Sequence, residues 1–305
     1  MVSRRARYIN FLVITGLVCF SSGCGSVTSE DDKILILTST SIIADIVKQV
    51  GGEFVTVSSL IPIGADPHDF SPQPKEAAAI SEADIIFLNG AGLEENLLPV
   101  IENAGGTDKI VEVSRGIDIL VTEDRVKGTS FPDPHTWMDP NNILIWLENI
   151  TASLAGIDPD HSEEYHANST KYSQEITELD MWVRNQIEVI PAAERLIVSD
   201  HNVFGYFNST YGFSQIGTIT GSSSTEASPS AQDIARLEDL IKQHDIPAIF
   251  ISETSSTTLV DQIAVDTGIQ VVHIFHGSLT TEDGPAPTYL KFIRYNVTAI
   301  VEALK

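Results

Sequence analysis

The sequence predicts an α/β protein of two lobes, each a parallel sheet flanked by helices, joined by one long rigid helix. Two observations carry that expectation. Short apolar runs alternate with helical patterns before residue 157 and again after residue 190, which is the rhythm of βαβ units and parallel sheets. From about Pro159 to Ile190 no strand-like run intervenes, and Tyr165, Tyr172, Ile176, Leu179, Val183, Ile187 and Ile190 step along one helical face.

In the first half, strands are expected at the branched apolar runs Ile34 to Thr38, Phe54 to Ile61, Asp84 to Leu88 and Ile110 to Val113. Helical patterns fill the gaps at Ile42 to Val50, Pro74 to Ser81 and Glu94 to Ala104. The second half repeats the alternation. Strands are expected at Leu196 to Ser199, Phe213 to Thr218, Ile246 to Ile251 and Ile269 to Phe275, and helices at Ser230 to Gln243, Ser255 to Thr267 and Pro287 to Leu304. Pro191 is expected to end the long helix. About 30 residues at 1.5 Å each give a strut of roughly 45 Å. The organisation read from these patterns is a signal peptide at 1–23, a tether at 24–33, an N-terminal lobe at 34–157, the connecting helix at 158–190 and a C-terminal lobe at 191–305.

The N-terminal stretch speaks to location. Arg4, Arg5 and Arg7 precede an apolar run from Ile9 to Phe20, and small residues then lead to Cys24. The run is short of the roughly 20 apolar residues of a membrane span, and the order of features is that of an export signal. Cys24 directly after Gly23 suggests a lipoprotein, acylated at that cysteine, held at the outer face of the cytoplasmic membrane or in the periplasm. Ser21 departs from the leucine usual three residues before such a cysteine. Cys19 is the only other cysteine and would leave with the signal, so the mature chain must fold on its core without a disulfide.

The formal net charge is −24, and loss of residues 1–23 removes three arginines and no acidic residue. This composition argues against nucleic acid as a partner, since phosphate binding needs concentrated Lys and Arg, and contact with the membrane is expected through the lipid alone. The acidity suits solubility or the attraction of cations.

The chemistry lies in the histidines. Asp66-Pro67-His68 and Asp133-Pro134-His135 repeat one tripeptide 67 residues apart in a chain with only eight histidines. His201 and His276 each follow a predicted strand directly, and ligands gather at the carboxyl ends of parallel strands. Three or four imidazoles meeting at one point suit Zn, Cu, Fe or Ni. Asp66, Asp133 and Asp200 precede His68, His135 and His201 closely enough to accept the second ring N–H of each. The other histidines invite plainer roles: a solvated surface for His161 and His166, a helix end for His244, and a structural place within a strand for His273.

Taken together, GADPHDFSPQPKE, DPHTWMDP, SDHNVFGYFNSTYGF, TEASPSAQDI and DGPAPTYLKFIRYNV resemble the metal-binding solute receptors of bacterial ABC importers, the zinc and manganese group, over nearly all of Ile34 to Leu304. The resemblance implies His68, His135 and His201 as ligands to a transported ion, and a permease with its ATPase as partners. It also implies a fourth ligand, an aspartate, where this chain has Gly277. His276, a water, or a carboxylate such as Glu226 or Glu253 remain open as substitutes. Relatives that carry manganese typically have Glu at the third ligand, so the nitrogen set here favours Zn2+, with Mn2+ possible. Affinity is expected to fall as pH drops through the histidine range near about 6.5. Two other functions fit parts of the pattern. A zinc hydrolase would use three histidines and an open position, although no His-Glu-x-x-His helix is present. A surface adhesin would bind its partner without the metal.

Overall fold

The computed structural model describes residues 33–124, 129–220, 229–253 and 257–305. The export signal, Cys24 and Glu226 lie outside the described residues. The first sheet takes β1 (Ile34–Thr38), β2 (Val55–Ser59), β3 (Ile85–Leu88) and β4 (Ile110–Glu112) in the order β2-β1-β3-β4, every pair parallel. Helices α1 (Ser41–Gly51), α2 (Pro74–Glu82) and α3 (Leu98–Asn103) lie on its crossovers. An antiparallel hairpin of β5 (Val121–Asp124) and β6 (Thr129–Pro132) follows, and then α4 (Pro140–Ile157).

The second sheet takes β7 (Leu196–Ser199), β8 (Ser214–Thr218), β9 (Ala248–Ser252) and β10 (Gln270–Ile274) in the order β10-β9-β7-β8, again all parallel. Its helices are α6 (Gly205–Tyr211), α7 (Ala231–Gln243), α8 (Thr257–Thr267) and α9 (Tyr289–Leu304). Every residue of β3 and β9 is buried, as expected of inner strands covered on both faces. In each sheet the first strand of the chain is internal, so successive connections leave it in opposite directions. Such reversals open a crevice at the carboxyl ends of the strands.

The elements missed by pattern have physical explanations. The hairpin strands are only four residues long and leave Val121 67% and Phe131 41% exposed, so no alternation marks them. In α4 the signal is present: Asp139 accepts the Asn141 N–H, Pro140 occupies the first helical position, and Trp146, Leu147, Ile150 and Leu154 are buried. Helix α6 is seven residues long and stops at Gly212, whose φ of 73° is left-handed. Helix α3 begins at Leu98 rather than Glu94, because the Glu94 carboxylate is engaged by the preceding turn, as described below.

The connecting helix α5 spans Ser162–Ile187, 26 residues, or about 39 Å. It is shorter than expected at both ends. Residues Pro159–His161 form a separate 3-10 turn, and the helix closes before Pro191. All seven residues of the predicted stripe are buried, within one apolar core that draws on both lobes. The helix packs against α1, α4 and α9, so it is clamped along its length rather than free-standing. His161 is not simply solvated. Its ring stacks on Phe54 with centroids 4.0 Å apart, and its Nδ1 lies 2.7 Å from Asp158 Oδ2. His166 sits on the outer face, 2.7 Å from the Ser162 carbonyl.

Because Leu179 is fully buried at mid-helix, Leu179→Ala is expected to cost about 2–5 kcal/mol. Urea unfolding of the metal-free protein measures it. A loss below about 1 kcal/mol would mean that α5 is not part of the common core.

Candidate metal centre

Each Asp-Pro-His segment makes the same turn. Proline has no N–H to offer, so the aspartate carboxylate reaches past it. Asp66 Oδ1 accepts the His68 N–H at 2.9 Å, and Asp133 Oδ1 accepts the His135 N–H at 3.0 Å. The first turn lies between β2 and α2, the second between β6 and α4. His201 follows β7 after one residue, Asp200, whose Oδ1 accepts its N–H at 2.8 Å.

These three turns aim three rings at one point. His68 and His135 lie with Nε2 atoms 3.0 Å apart, and His135 and His201 with Nε2 atoms 3.3 Å apart. Ring centroids are separated by 5.1–5.4 Å, and one nitrogen from each ring falls within 4.8 Å of the others. Imidazoles sharing one tetrahedral zinc, at about 2.0–2.1 Å per bond, hold their nitrogens about 3.3–3.4 Å apart. His135 and His201 are buried and His68 partly so.

The carboxylates set the direction of the lone pairs. His135 Nδ1 is 2.8 Å from Asp133 Oδ1, and His201 Nδ1 is 2.9 Å from Asp200 Oδ1. With Nδ1–H donating, Nε2 of each ring presents a lone pair to the centre. Asp66 is used differently, since the contact it makes is with the His68 backbone. Burial, and then the charge of His201, pull His135 well below the usual histidine range, and burial with His135 and His201 does the same to His68. Both rings are therefore neutral and able to ligate at neutral pH. Burial raises Asp133 to about 7 despite the His135 N–H. Asp200 goes the other way. Burial pulls it up, but His276 and His201, by charge and hydrogen bonds, hold it well below the usual carboxylate range.

A layer behind the rings was not legible as functional. Asn89, after β3, donates to the Pro134 carbonyl at 2.9 Å and accepts the Thr136 hydroxyl at 3.0 Å, which holds the turn carrying His135. Asn89 and Gly90 in turn donate their N–H groups to Glu94, as Ser39 donates its hydroxyl, at 2.7–3.0 Å. Tyr206 of α6 donates to the Asp133 carbonyl, Trp137 Nε1 donates to the His276 carbonyl at 2.7 Å, and Tyr289 donates to the Trp137 carbonyl. Aromatic residues from one lobe thus brace the ligand turns of the other. Trp137 and Tyr206 stood in the sequence within the motifs that carry the family resemblance, with no role read from them.

The remaining candidates fall elsewhere. His276 is 4% exposed, and its Nε2 lies 3.2 Å from Asp200 Oδ2. It groups with Asp200 and His201, not with His68 and His135. Gly277 touches the first turn: a Cβ there would sit 2.7 Å from Pro67 Cδ. Glu253 is half exposed, with Oε2 4.0 Å from His273 Nδ1. His244 caps the end of α7, and His273 lies in β10. A cavity of about 230 Å3 beside the rings is walled by Asp66, Pro67, Glu253, His276 and Gly277.

Two parallel-sheet lobes around one long helix, with imidazoles from both lobes gathered between them, make an interlobe site suited to a metal ion. Comparison with known proteins agrees. The chain belongs to the family described as zinc-uptake complex component A, periplasmic, whose profile matches residues 36–303. It is 35% identical over 297 residues to the manganese-binding lipoprotein MntA of Halalkalibacterium halodurans, covering 96% of this chain and 97% of that one. It resembles the Mn-bound periplasmic metal-binding protein of Candidatus Liberibacter asiaticus at 32% identity and a TM-score of 0.79, covering 90% of this chain and all of that one. The periplasmic zinc-binding protein TroA of Treponema pallidum matches with a TM-score of 0.82 at 28% identity, covering 89% and 99%. The family comprises transport components rather than enzymes, which sets aside a hydrolase.

The sign of Glu94 titration follows from its burial, which raises it from 4.5 to about 7 against its hydrogen bonds. A raised acid contributes stability that is present below about pH 4.5 and lost as pH rises through about 7. Glu94→Gln, which does not titrate, should therefore gain on the wild type by about 3 kcal/mol between pH 4.5 and 8. Denaturant unfolding of the two proteins across that interval reads the difference. Parallel stability curves would refute the raised value.

Proposed function

We propose that this protein captures Zn2+ outside the cytoplasmic membrane and delivers it to an ABC permease driven by a cytoplasmic ATPase, with His68, His135 and His201 as the ligands. One observation carries the proposal. The Nε2 lone pairs of His135 and His201 face each other at 3.3 Å while both Nδ1 positions are committed to carboxylates, and a cation shared with His68 is what stabilises that arrangement. A set of imidazole nitrogens suits zinc better than manganese, which prefers oxygen ligands. Manganese is the second reading, supported by the names of relatives such as MntA. Anchoring through acylated Cys24 agrees with relatives named as lipoproteins, and no described helix is long and apolar enough to cross a membrane.

In competition with a chelator, His68→Ala, His135→Ala and His201→Ala should each weaken zinc binding by more than about a hundredfold, beyond the usual effect of supporting groups. A variant that still binds within about tenfold of the wild type removes that residue from the ligand set. Mn2+ displacing Zn2+ at equal concentrations decides for the second reading.

Burial bears on the pH profile as well. With His68 and His135 held below the usual histidine range by burial, protons displace the ion from those two rings only well into the acid range, so affinity should fall most steeply below about pH 6.5. Isothermal titration over pH 4.5–7.5 tests this. Flat affinity throughout would exclude a site dominated by imidazole.

A further inference from the structure

We propose that His276 is a positioning residue for the cargo ion, acting on the ligand His201 through their shared partner Asp200. This rests on the reading of His68, His135 and His201 as ligands.

Asp200 lies between two rings. Its Oδ1 accepts the N–H and the Nδ1–H of His201, at 2.8 and 2.9 Å. Its Oδ2 faces His276 Nε2 at 3.2 Å and accepts the Ser252 N–H at 2.9 Å. Donors on both oxygens fix the carboxylate plane, and that plane fixes the tautomer and tilt of His201. The His276 ring also stands edge-on to the His201 ring, with centroids 4.6 Å apart at 72°, so His201 is confined from a second direction.

The loop that carries His276 is held independently of its ring. Trp137 Nε1 bonds the His276 carbonyl, and Gly277 rests against Pro67. To join the gathered nitrogens, His276 Nε2 would have to abandon Asp200 and leave a buried carboxylate without that donor. Asp133, which supports His135, has no second imidazole in this role, so the two carboxylate–histidine pairs are not equivalent. His201 is the more rigidly directed ligand.

The test compares His276→Gln, which keeps a donor near the position of Nε2, with His276→Leu, which does not. Zinc affinity is measured by chelator competition, and coordination by the visible d–d spectrum of the Co2+-loaded proteins. The expected result is affinity within about threefold of wild type for Gln, a loss of about 10- to 100-fold for Leu, and an unchanged cobalt spectrum in both. Wild-type affinity in the Leu variant overturns the proposal. A changed spectrum in either variant also overturns it, because His276 is then itself a ligand. If the Leu variant does not fold, the Gln variant decides alone: near-native affinity with an unchanged spectrum supports positioning, and an altered spectrum refutes it. Failure of the underlying reading shows elsewhere, as a wild type that binds neither ion or a His201→Ala variant with an unaltered cobalt spectrum, and it takes this inference with it.

Discussion

The structure turns on one kind of hydrogen bond, from imidazole Nδ1 to a buried carboxylate. Imidazole can carry its proton on either nitrogen, and a ligand must carry it on the side away from the ion. Asp133 and Asp200 make that choice for His135 and His201. Burial makes the choice consequential, because a ring kept neutral by desolvation has one lone pair and one place to direct it. The Asp-Pro-His turn is an economical way to arrange this: proline removes a competing donor, and one carboxylate oxygen then serves both the backbone and the ring of His135.

Holding three such turns around one point needs strands that end together. Each parallel sheet reverses direction about its first strand; the His68 and His201 turns leave from strands of those sheets, the His135 turn leaves from β6, and the three rings meet between the lobes. Bonds between lobes then tie loop to loop. Tyr206 fastens the Asp133 carbonyl and Trp137 the His276 carbonyl. Gly205 belongs to the same fit, since a Cβ there would lie against Asp133 Oδ2, so the start of α6 can approach the carboxylate that orients His135 only without a side chain. The site is a product of close packing between lobes as much as of the histidines themselves.

Most of the strand positions were legible in the sequence, because inner strands such as β3 and β9 are unbroken apolar runs buried on both faces. The hairpin of β5 and β6 was not, since a short exposed ribbon carries no periodic pattern. The three converging histidines were legible because a repeated tripeptide is rare and strand ends are privileged positions. The partners of Asp66 were not. Identical tripeptides use their carboxylates differently, and only the surrounding packing decides whether a ring turns back toward its own aspartate. Glu94 and Asn89 were hidden for another reason: their importance lies in bonds to backbone atoms of loops distant in sequence, which residue identity does not disclose.

The buried face of α5 has a mechanical corollary. Receptors whose halves meet at a flexible crossing can swing wide and shed their cargo by gaping. Here the rod between the halves is embedded along its whole apolar stripe in a core common to both, and bending it would bring that stripe into water. Moving the loops at the rim, by contrast, breaks only the few hydrogen bonds that join loop to loop, such as that from Trp137 to the His276 carbonyl.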